Sequence, residues 1–458
     1  MKTSSLFASL YSPSRRELRK RIWQLTIPVI LANITIPLVG LVDTAVMGHL
    51  DSAHYIGAVA LGSFLYSMVS VSFGFLRMAT TGLVARAMGA EDTALILLHL
   101  MRGVVLALAV GVLVIIFAQP IIMLARLVLS GSPEVLDGMA VYMSILAFAS
   151  PATCFNMVIL GLLFGLQRVR ACMIQMVVIN VINIIGNLLL VFGLGMKVDG
   201  VALATLIAQY AGAGVSVLLL AQALGRPWHW HLPQLVNVIS FGALRQYLGL
   251  GRDLTIRTIC ILFGELVLLN MSAAIDDATL AASQLCFVLF AVIAYGLDGF
   301  AHAAESLVGA AIGRRDLSGL KAAIWESSVL AVAMAVLASV LVAVFGSLFI
   351  DFMTSLEDVR VRANGLLIWM VLIPVVSVLA FQMDGVFIGA TQAVVMRNAM
   401  LVSLVLFLPL ALIGNKVAGI NGIWVAFLFF LGLRGLTLLR KIGHVYDEAR
   451  IPEASPAN

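Results

Sequence analysis

The sequence predicts an all-α integral membrane protein, and three observations support this prediction. Of its 458 residues, 62% are hydrophobic and only 11% are charged, whereas soluble domains average about 45–50% apolar and about 25% charged residues. The mean hydropathy is +1.08. The apolar residues form long continuous runs, which favours helices over the alternating strands of a membrane barrel. This composition excludes a soluble enzyme, a nucleic-acid binder and a disordered scaffold as descriptions of the whole chain.

Twelve apolar segments are each long enough to cross a bilayer as a helix. We place them at residues 22–47, 55–80, 95–118, 136–165, 170–194, 200–223, 246–273, 279–312, 321–350, 361–390, 395–415 and 419–439. The longest polar break divides them into two groups of six. The expected organisation is a basic cytoplasmic N-terminus (1–21), an N-lobe (22–223), a cytoplasmic linker (224–245), a C-lobe (246–441) and a cytoplasmic tail (442–458).

The distribution of Lys and Arg predicts that both termini are cytoplasmic, because basic residues accumulate on the inner side of a membrane. With the N-terminus inside, 23 of the 28 basic residues lie on the inner side or in inner helix halves. The five that remain outside are Arg126, Lys197, Arg360, Arg362 and Lys416. We therefore expect a multi-pass protein of the inner, or plasma, membrane.

The two halves of the chain repeat each other at an offset close to 224 residues. The matches in register are TGLVARAMGAED (81–92) with ESLVGAAIGRRD (305–316), Pro151 with Pro374, Gly161-x-x-x-Gly165 with Gly385-x-x-x-Gly389, and Gly200-Val201 with Gly422-Ile423. Six crossings return the chain to the side from which it started. The two six-helix lobes are therefore expected to be related by a pseudo-two-fold axis along the membrane normal, as in parallel-repeat transporters.

Five carboxylates lie well inside the apolar segments, where each charged side chain costs roughly 2.5–3.5 kcal/mol. They are Asp43, Glu265, Asp298, Glu305 and Asp384. Such a cost favours groups that face a wetted interior or are protonated, although interhelical hydrogen bonding without transport chemistry is an alternative. No phosphate-binding loop or hydrolase motif is present. We therefore expect no direct use of ATP, no catalytic residues, no cofactor and no metal site.

The first candidate site combines one acid with neutral polar groups in the outer half of the first bundle. Asn183 and Asn187 share one helix face, as do Thr205 and Gln209, and helical rise places both pairs near the depth of Asp43. An acid surrounded by amides and hydroxyls suits either a proton or a small hard cation. A satisfied polar core is the alternative interpretation.

Pro28 and Pro37 lie in the same segment as Asp43. Each removes a backbone hydrogen bond, so a bend beside the carboxylate is expected, either as a static kink or as a link between protonation and helix shape.

The second candidate site lies in the C-lobe. Asp298, His302 and Glu305 follow one face of the eighth segment, which is typical of a proton path or a cation-binding wall, although two of them could simply pair. Asp384 and Glu265 are candidates for binding a cationic substrate.

Several stretches resemble the multidrug and toxic compound extrusion (MATE) family. In the first half they are Ile27-Pro28, GLVDTAVMGHL (40–50), NIIGN (183–187), Phe192-Gly193 and GVALAT (200–205). In the second half they are LDGFAHAAE (297–305), MDGVFIGAT (383–391) and MRN (396–398). The last three look like the branch of the family that is named for a DNA-damage-inducible member.

The resemblance implies two six-helix lobes that form a V around a cavity, and cation-driven export of organic, often cationic and amphipathic, compounds. Asp43, Asn183, Asn187 and Thr205 match the family's first-lobe cation site, and Glu265 and Asp384 match its second-lobe acids. The chain departs from the family at Asn187, which is commonly aspartate in relatives. This departure leaves Asp43 as the only acid of the first-lobe site.

The resulting prediction is a monomeric, proton-coupled multidrug exporter whose partners are small organic substrates and membrane lipids, without nucleic acid. The nearest alternative is a sodium-coupled exporter of the same family. A flippase for lipid-linked precursors and a membrane enzyme that acts on lipids are alternatives from other classes.

Overall fold

The structure, a computed structural model, describes residues 14–48, 53–129, 131–224, 238 and 241–450. This part of the chain is helical and contains no β-strand. The helices are α1 (Arg15–Gly48), α2 (Ala53–Ser72), α3 (Phe75–Gly89), α4 (Thr93–Val128), α5 (Pro133–Ala147), α6 (Ser150–Gly165), α7 (Val169–Asn187), α8 (Val198–Leu224), α9 (Phe241–Ala273), α10 (Asp277–Gly313), α11 (Leu317–Met353), α12 (Glu357–Gly389), α13 (Ala393–Leu439) and α14 (Ile442–Glu448). A π-helical segment, Leu188–Gly193, extends α7.

All twelve predicted segments lie in these helices, which confirms the predicted fold class. The second segment is broken between α2 and α3, and the fourth is bent by 53° between α5 and α6. The last two segments form one helix, α13, with a kink at Gly419, where φ is 56°. Among the described residues, nine helices are long and apolar enough to span a membrane, or ten with the bent pair counted as one span. The first segment, in α1, adds one crossing, and the kink divides α13 into two crossings. The number of crossings is then twelve.

The chain divides into two compact units. The first-half unit comprises Leu31–Met88 and Asp92–Gly251, and the second-half unit comprises Met1–Ile30, Gly89–Glu91 and Arg252–Asn458. The N-terminal part of α1 thus belongs to the second-half unit. Most of the predicted linker, 224–245, lies outside the described residues.

Large apolar side chains cover much of the surface of both units. Leu127 on α4 is 84% exposed and Phe352 on α11 is 87% exposed. Such a surface is unfavourable in water and is expected where helices contact lipid chains. The four cysteines, Cys154, Cys172, Cys260 and Cys286, are buried and free.

The Gly-x-x-x-Gly motifs bring helix pairs into close contact within each unit. In the first-half unit, a Cβ atom on Gly161 of α6 would collide with the carbonyl oxygen of Arg77 on α3. In the second-half unit, a Cβ atom on Gly385 of α12 would collide with the carbonyl oxygen of Ala301 on α10. Both pairs of residues occur at the repeat offset of 224, so the structure confirms the internal repeat.

The turns repeat as closely as the helix contacts. Glu91 and Arg315 adopt left-handed conformations with φ of 57° and 58°, at the repeat offset. The aspartate that follows each of them caps the next helix: Asp92 accepts a hydrogen bond from the backbone N–H of Leu95, and Asp316 accepts one from Gly319. Partial burial acts to raise the pKa of Asp316, but hydrogen bonds from Gly319 and Ser318 outweigh it and lower that pKa.

Candidate functional site

The first-half unit contains a cavity of about 410 Å³, which we call the first-half cavity. Its walls combine aliphatic side chains with polar groups from α1, α2, α5, α7 and α8. The polar lining residues are Asp43, Ser63, Tyr66, Ser67, Tyr142, Asn180, Asn183, Thr205 and Gln209. Asp43 is the only carboxylate among the described residues that line this cavity.

A chain of hydrogen bonds connects the four residues predicted for cation coupling. Asn187 Nδ2 donates to Asp43 Oδ1 at 2.5 Å and to Asn183 Oδ1 at 3.2 Å. Asn183 Nδ2 in turn donates to Thr205 Oγ1 at 2.8 Å, and Thr205 donates to the carbonyl oxygen of Val201. The structure therefore brings the four residues together around one carboxylate.

The backbone of α7 places Asn187 at the point where the helix changes type. Asn183 and Asn187 are one turn apart on α7, and the π-helical segment begins at the next residue, Leu188. Short π-helical segments are frequent at functional sites, because they shift side chains relative to a regular helix. The Asn187 side chain is completely buried, and its Oδ1 has no hydrogen-bond partner among the described residues.

Helix α1 lines the cavity with residues that follow both of its prolines. Pro28 and Pro37 lie within α1, which remains assigned as one helix, and a bend that responds to protonation stays a prediction. Between them, Thr35 accepts a hydrogen bond from Asn180 Nδ2 at 2.5 Å and donates to the carbonyl oxygen of Ala32 at 2.6 Å. This contact joins α1 to α7 near the cavity.

In the second-half unit, Asp384 is paired with two buried arginines. Arg257 on α9 and Arg434 on α13 both donate to Asp384 Oδ2. The exposed fractions of Asp384, Arg257 and Arg434 are 6%, 7% and 4%. This pairing argues against the prediction that Asp384 binds a cationic substrate, because two arginines of the protein already bind its carboxylate.

Three further acids lie within electrostatic range of this pair of arginines. Asp298 and Glu305 interact with Arg257, and Asp298 and Glu265 interact with Arg434. Of the three residues predicted to follow one face of α10, Asp298, His302 and Glu305, the last two are in contact: His302 Nδ1 lies 3.1 Å from Glu305 Oε2. The second-half unit thus holds a cluster of four acids, two arginines and one histidine, in which Asp384, Glu305 and both arginines are buried and the others are half-buried.

Sequence reasoning missed the uncharged residues that complete the first-half cavity and the partners of Asp384. Asn180 and Tyr142 line the cavity and Asn156 bonds to Gln209 of its wall, but an uncharged polar group in an apolar segment is a weaker signal than a charge. Arg434 was treated only as an inner-side basic residue. An arginine within the last apolar segment was the signal that could have predicted a buried acidic partner.

Comparison with known families gives two matches within the chain. The MatE family model matches residues 28–189 and again residues 254–413, so it covers both halves of the repeat. The chain belongs to the MatE family. The last residues of the two matched ranges, 189 and 413, are separated by the repeat offset of 224 residues. Membership of this transporter family makes the chain a multi-pass transport protein and confirms the predicted family.

The similarity to characterised sequences extends over nearly the whole chain. DNA damage-inducible protein F of Escherichia coli K12 is 39% identical over 425 residues, which span 92% of this chain and 91% of that protein. Protein DETOXIFICATION 44, chloroplastic, of Arabidopsis thaliana is 25% identical over 451 residues, 92% of this chain and 82% of that protein. The first relative confirms the predicted branch of the family.

Solved structures confirm the fold. A MOP superfamily transporter from Pyrococcus furiosus, described as having a binding pocket of reverse polarity, superimposes with a TM-score of 0.84 at 18% identity. A MATE protein in the straight conformation superimposes with a TM-score of 0.85 at 19% identity. Each comparison covers 95% of this chain and 97% of the other.

Proposed function

We propose that the protein exports organic, often cationic or amphipathic, compounds across the plasma membrane in exchange for protons, and that Asp43 carries the proton. The observation that supports this proposal most directly is the position of Asp43. It is the single carboxylate among the described lining residues of a cavity that is large enough for an organic molecule, and the residue that donates a hydrogen bond to it, Asn187, is neutral.

Protons suit this site because two of the oxygen atoms that a metal ion would need, those of Asn183 and Thr205, are already engaged. Asn183 Oδ1 accepts a hydrogen bond from Asn187, and Thr205 Oγ1 accepts one from Asn183 while donating to Val201. A hard cation takes several oxygen ligands and is favoured by more than one anionic group. Asp43 needs none of these atoms to bind a proton.

The same carboxylate links binding to release. When ionised, Asp43 attracts a cationic substrate into a cavity of low dielectric constant, where the attraction is stronger than in water. Protonation removes that charge, so a bound cation loses its main attraction and leaves. A potential of about 100 mV supplies about 2.3 kcal/mol for each charge that crosses the membrane.

The test is efflux from proteoliposomes in which proton and sodium gradients are imposed separately. An outward movement of a fluorescent organic cation that follows the proton gradient and stops with a protonophore is the expected result. Transport driven by a sodium gradient alone contradicts the proposed coupling.

Sodium-coupled export by the same cavity is the second candidate, and one atom favours it. Asn187 Oδ1 is buried beside Asp43 and has no hydrogen-bond partner among the described residues, so it offers an oxygen ligand. The gradient experiment separates the two candidates directly.

A further inference from the structure

We propose that Asn156 is a positioning residue that turns the amide nitrogen of Gln209 toward the first-half cavity. The cavity would then select substrates that carry a hydrogen-bond acceptor, such as a carbonyl group, in addition to a cationic group. The inference rests on the proposed function in one respect: it takes this cavity as the place where the exported compound binds.

Asn156 is the centre of a buried polar network that joins three helices. It lies on α6 with an exposed fraction of 5%. Its Nδ2 donates to the backbone oxygen of Gln209 at 2.9 Å and to the side-chain Oε1 of Gln209 at 3.1 Å. Its Oδ1 accepts from Ser216 at 3.0 Å, and its own backbone oxygen accepts from Gln175 Nε2 at 3.0 Å.

These partners fix which way the Asn156 amide faces. A backbone carbonyl oxygen can only accept, so the group that faces the Gln209 carbonyl must be the nitrogen of Asn156. The Asn156 oxygen then faces the Ser216 hydroxyl, which can donate. Both N–H bonds of Asn156 Nδ2 are used by Gln209, one by its backbone and one by its side chain.

The orientation of Gln209 follows from that of Asn156. Because Gln209 Oε1 accepts from Asn156, the amide nitrogen of Gln209 points away from Asn156, and the residue lines the cavity. Two other amides of the cavity wall have each committed one of their two N–H bonds: Asn180 Nδ2 donates to Thr35, and Asn183 Nδ2 donates to Thr205. Within the described part of the chain, the Gln209 nitrogen differs from them in that both of its N–H bonds remain for a ligand.

The first-half cavity therefore carries opposite hydrogen-bonding groups on different walls. Asp43 on α1 accepts hydrogen bonds and attracts positive charge, whereas Gln209 on α8 donates. A complementary ligand has an ammonium group for Asp43 and a separate acceptor for Gln209. A cation without an acceptor would leave the polar Gln209 nitrogen without a partner, which weakens binding.

Gly212 supplies the space that this arrangement needs. It follows Gln209 by about one helical turn on α8, and a Cβ atom there would lie 2.4 Å from Ile179 Cγ1 on α7 and 3.2 Å from Asn156 Nδ2. A larger residue would crowd the amide at the point where it reaches the Gln209 carbonyl. Gly212 thus lets α6 approach α8 closely enough for Asn156 to reach Gln209.

The test uses two probes that differ only in the acceptor. An aminoalkyl fluorenone and the matching aminoalkyl fluorene have the same charge and nearly the same shape, but only the former has a ketone. Binding of each is measured by titration calorimetry with the full-length protein in detergent. We expect the wild type to bind the ketone about three- to tenfold more tightly, as one hydrogen bond of about 1 kcal/mol implies.

Two variants should abolish this preference and one should keep it. Gln209→Met removes the donor. Asn156→Asp replaces the fixed donor with an acceptor, so the Gln209 amide nitrogen turns toward position 156 and away from the cavity. In both variants the ratio of the Kd values for the two probes should fall to about one. Ser216→Ala is the matched control. It removes a partner of Asn156 but leaves the Gln209 carbonyl that fixes the amide, so the preference should persist.

The ratio distinguishes positioning from a merely structural role, because a loosened fold weakens the binding of both probes equally. A ketone preference that survives in Gln209→Met or Asn156→Asp overturns the inference, as does a wild type that binds both probes equally or binds neither. If the wild type prefers the ketone but proton gradients do not drive efflux, the proposed function fails while this inference stands.

Discussion

Gly161 and Gly385 lie 224 residues apart, and each faces a backbone carbonyl oxygen so closely that no side chain would fit. The carbonyl belongs to Arg77 in one case and to Ala301 in the other, and these two residues are also 224 apart. The repeat is therefore preserved at the level of individual helix contacts, although the side chains around them differ.

We expect Gly161→Ala and Gly385→Ala each to destabilise the protein by about 1–3 kcal/mol, because the added methyl group forces two backbones apart. The midpoint of thermal unfolding in detergent measures the effect. Gly365→Ala is the control: Gly365 lies on α12 with Gly385, and a Cβ atom there would meet nothing within 4 Å. An equal loss in the control would contradict this explanation, because alanine favours a helix more than glycine does and would meet no neighbour at that position.

The helices and the repeat could be predicted because both leave local signals in the sequence. A membrane segment must be apolar along its whole length, and a close helix contact requires glycine at fixed spacing. The boundary predicted between 415 and 419 coincides with the kink at Gly419, although α13 continues through it without a loop. The break between α2 and α3 was missed, since apolar composition continues through it.

The orientation of the chain remains a prediction, and cysteine labelling can test it. In a variant without native cysteines, single cysteines at Asp277 and Asp358 should react with an impermeant thiol reagent from outside, whereas one within 226–231 should not. Two basic residues that the prediction places outside are paired with acids: Arg126 with Asp137, and Arg360 with Asp351. The reverse labelling pattern would contradict the orientation.

The pairing of Asp384 changes the effect expected from its substitution. Asp384→Asn leaves Arg257 and Arg434 buried without their shared anion, and we expect a loss of about 3–5 kcal/mol of stability. Transport of cationic and neutral dyes should fall together, because the protein loses structure and not a substrate contact. The thermal midpoint and efflux of both dye classes provide the measurements.

A double variant separates the two roles of Asp384. Asp384→Asn combined with Arg434→Gln removes one stranded cation together with the anion, so the thermal midpoint should recover in part. If Asp384→Asn instead retains the wild-type midpoint and loses only cationic dyes, Asp384 contacts the substrate and the pairing is not structural.

The candidate sites illustrate what sequence alone does not reveal. Asp43, Asn183, Asn187 and Thr205 were grouped from helical depth and spacing, and the structure joins them. Arg434 is close to Asp384 only because α12 and α13 pack side by side, and no spacing within either helix indicates it. The contact of Asn156 with Gln209 depends in the same way on the packing of α6 against α8.

Asp43→Asn should abolish proton-driven efflux while leaving the thermal midpoint and the binding of neutral dyes largely intact. The amide keeps the size of the side chain and can still pair with Asn187, but it cannot take up a proton or attract a cation. Asp137→Asn is the control, since Asp137 is an exposed carboxylate paired with Arg126 outside the cavity. Normal efflux by Asp43→Asn in proteoliposomes would contradict the proposed role of Asp43.

Asn187→Asp should change how efflux depends on pH and sodium. Asn187 donates to Asp43 and Asn183 through the same nitrogen, and an aspartate at this position would place two carboxylates against each other. Two facing carboxylates cannot both ionise without a counter-ion, so they hold either a shared proton or a cation. We therefore expect the pH optimum of efflux to rise and sodium to bind measurably, as detected by a sodium-dependent thermal shift that Asp43→Asn in the same background removes. An unchanged pH profile without sodium binding would show that Asn187 does not face Asp43 during transport.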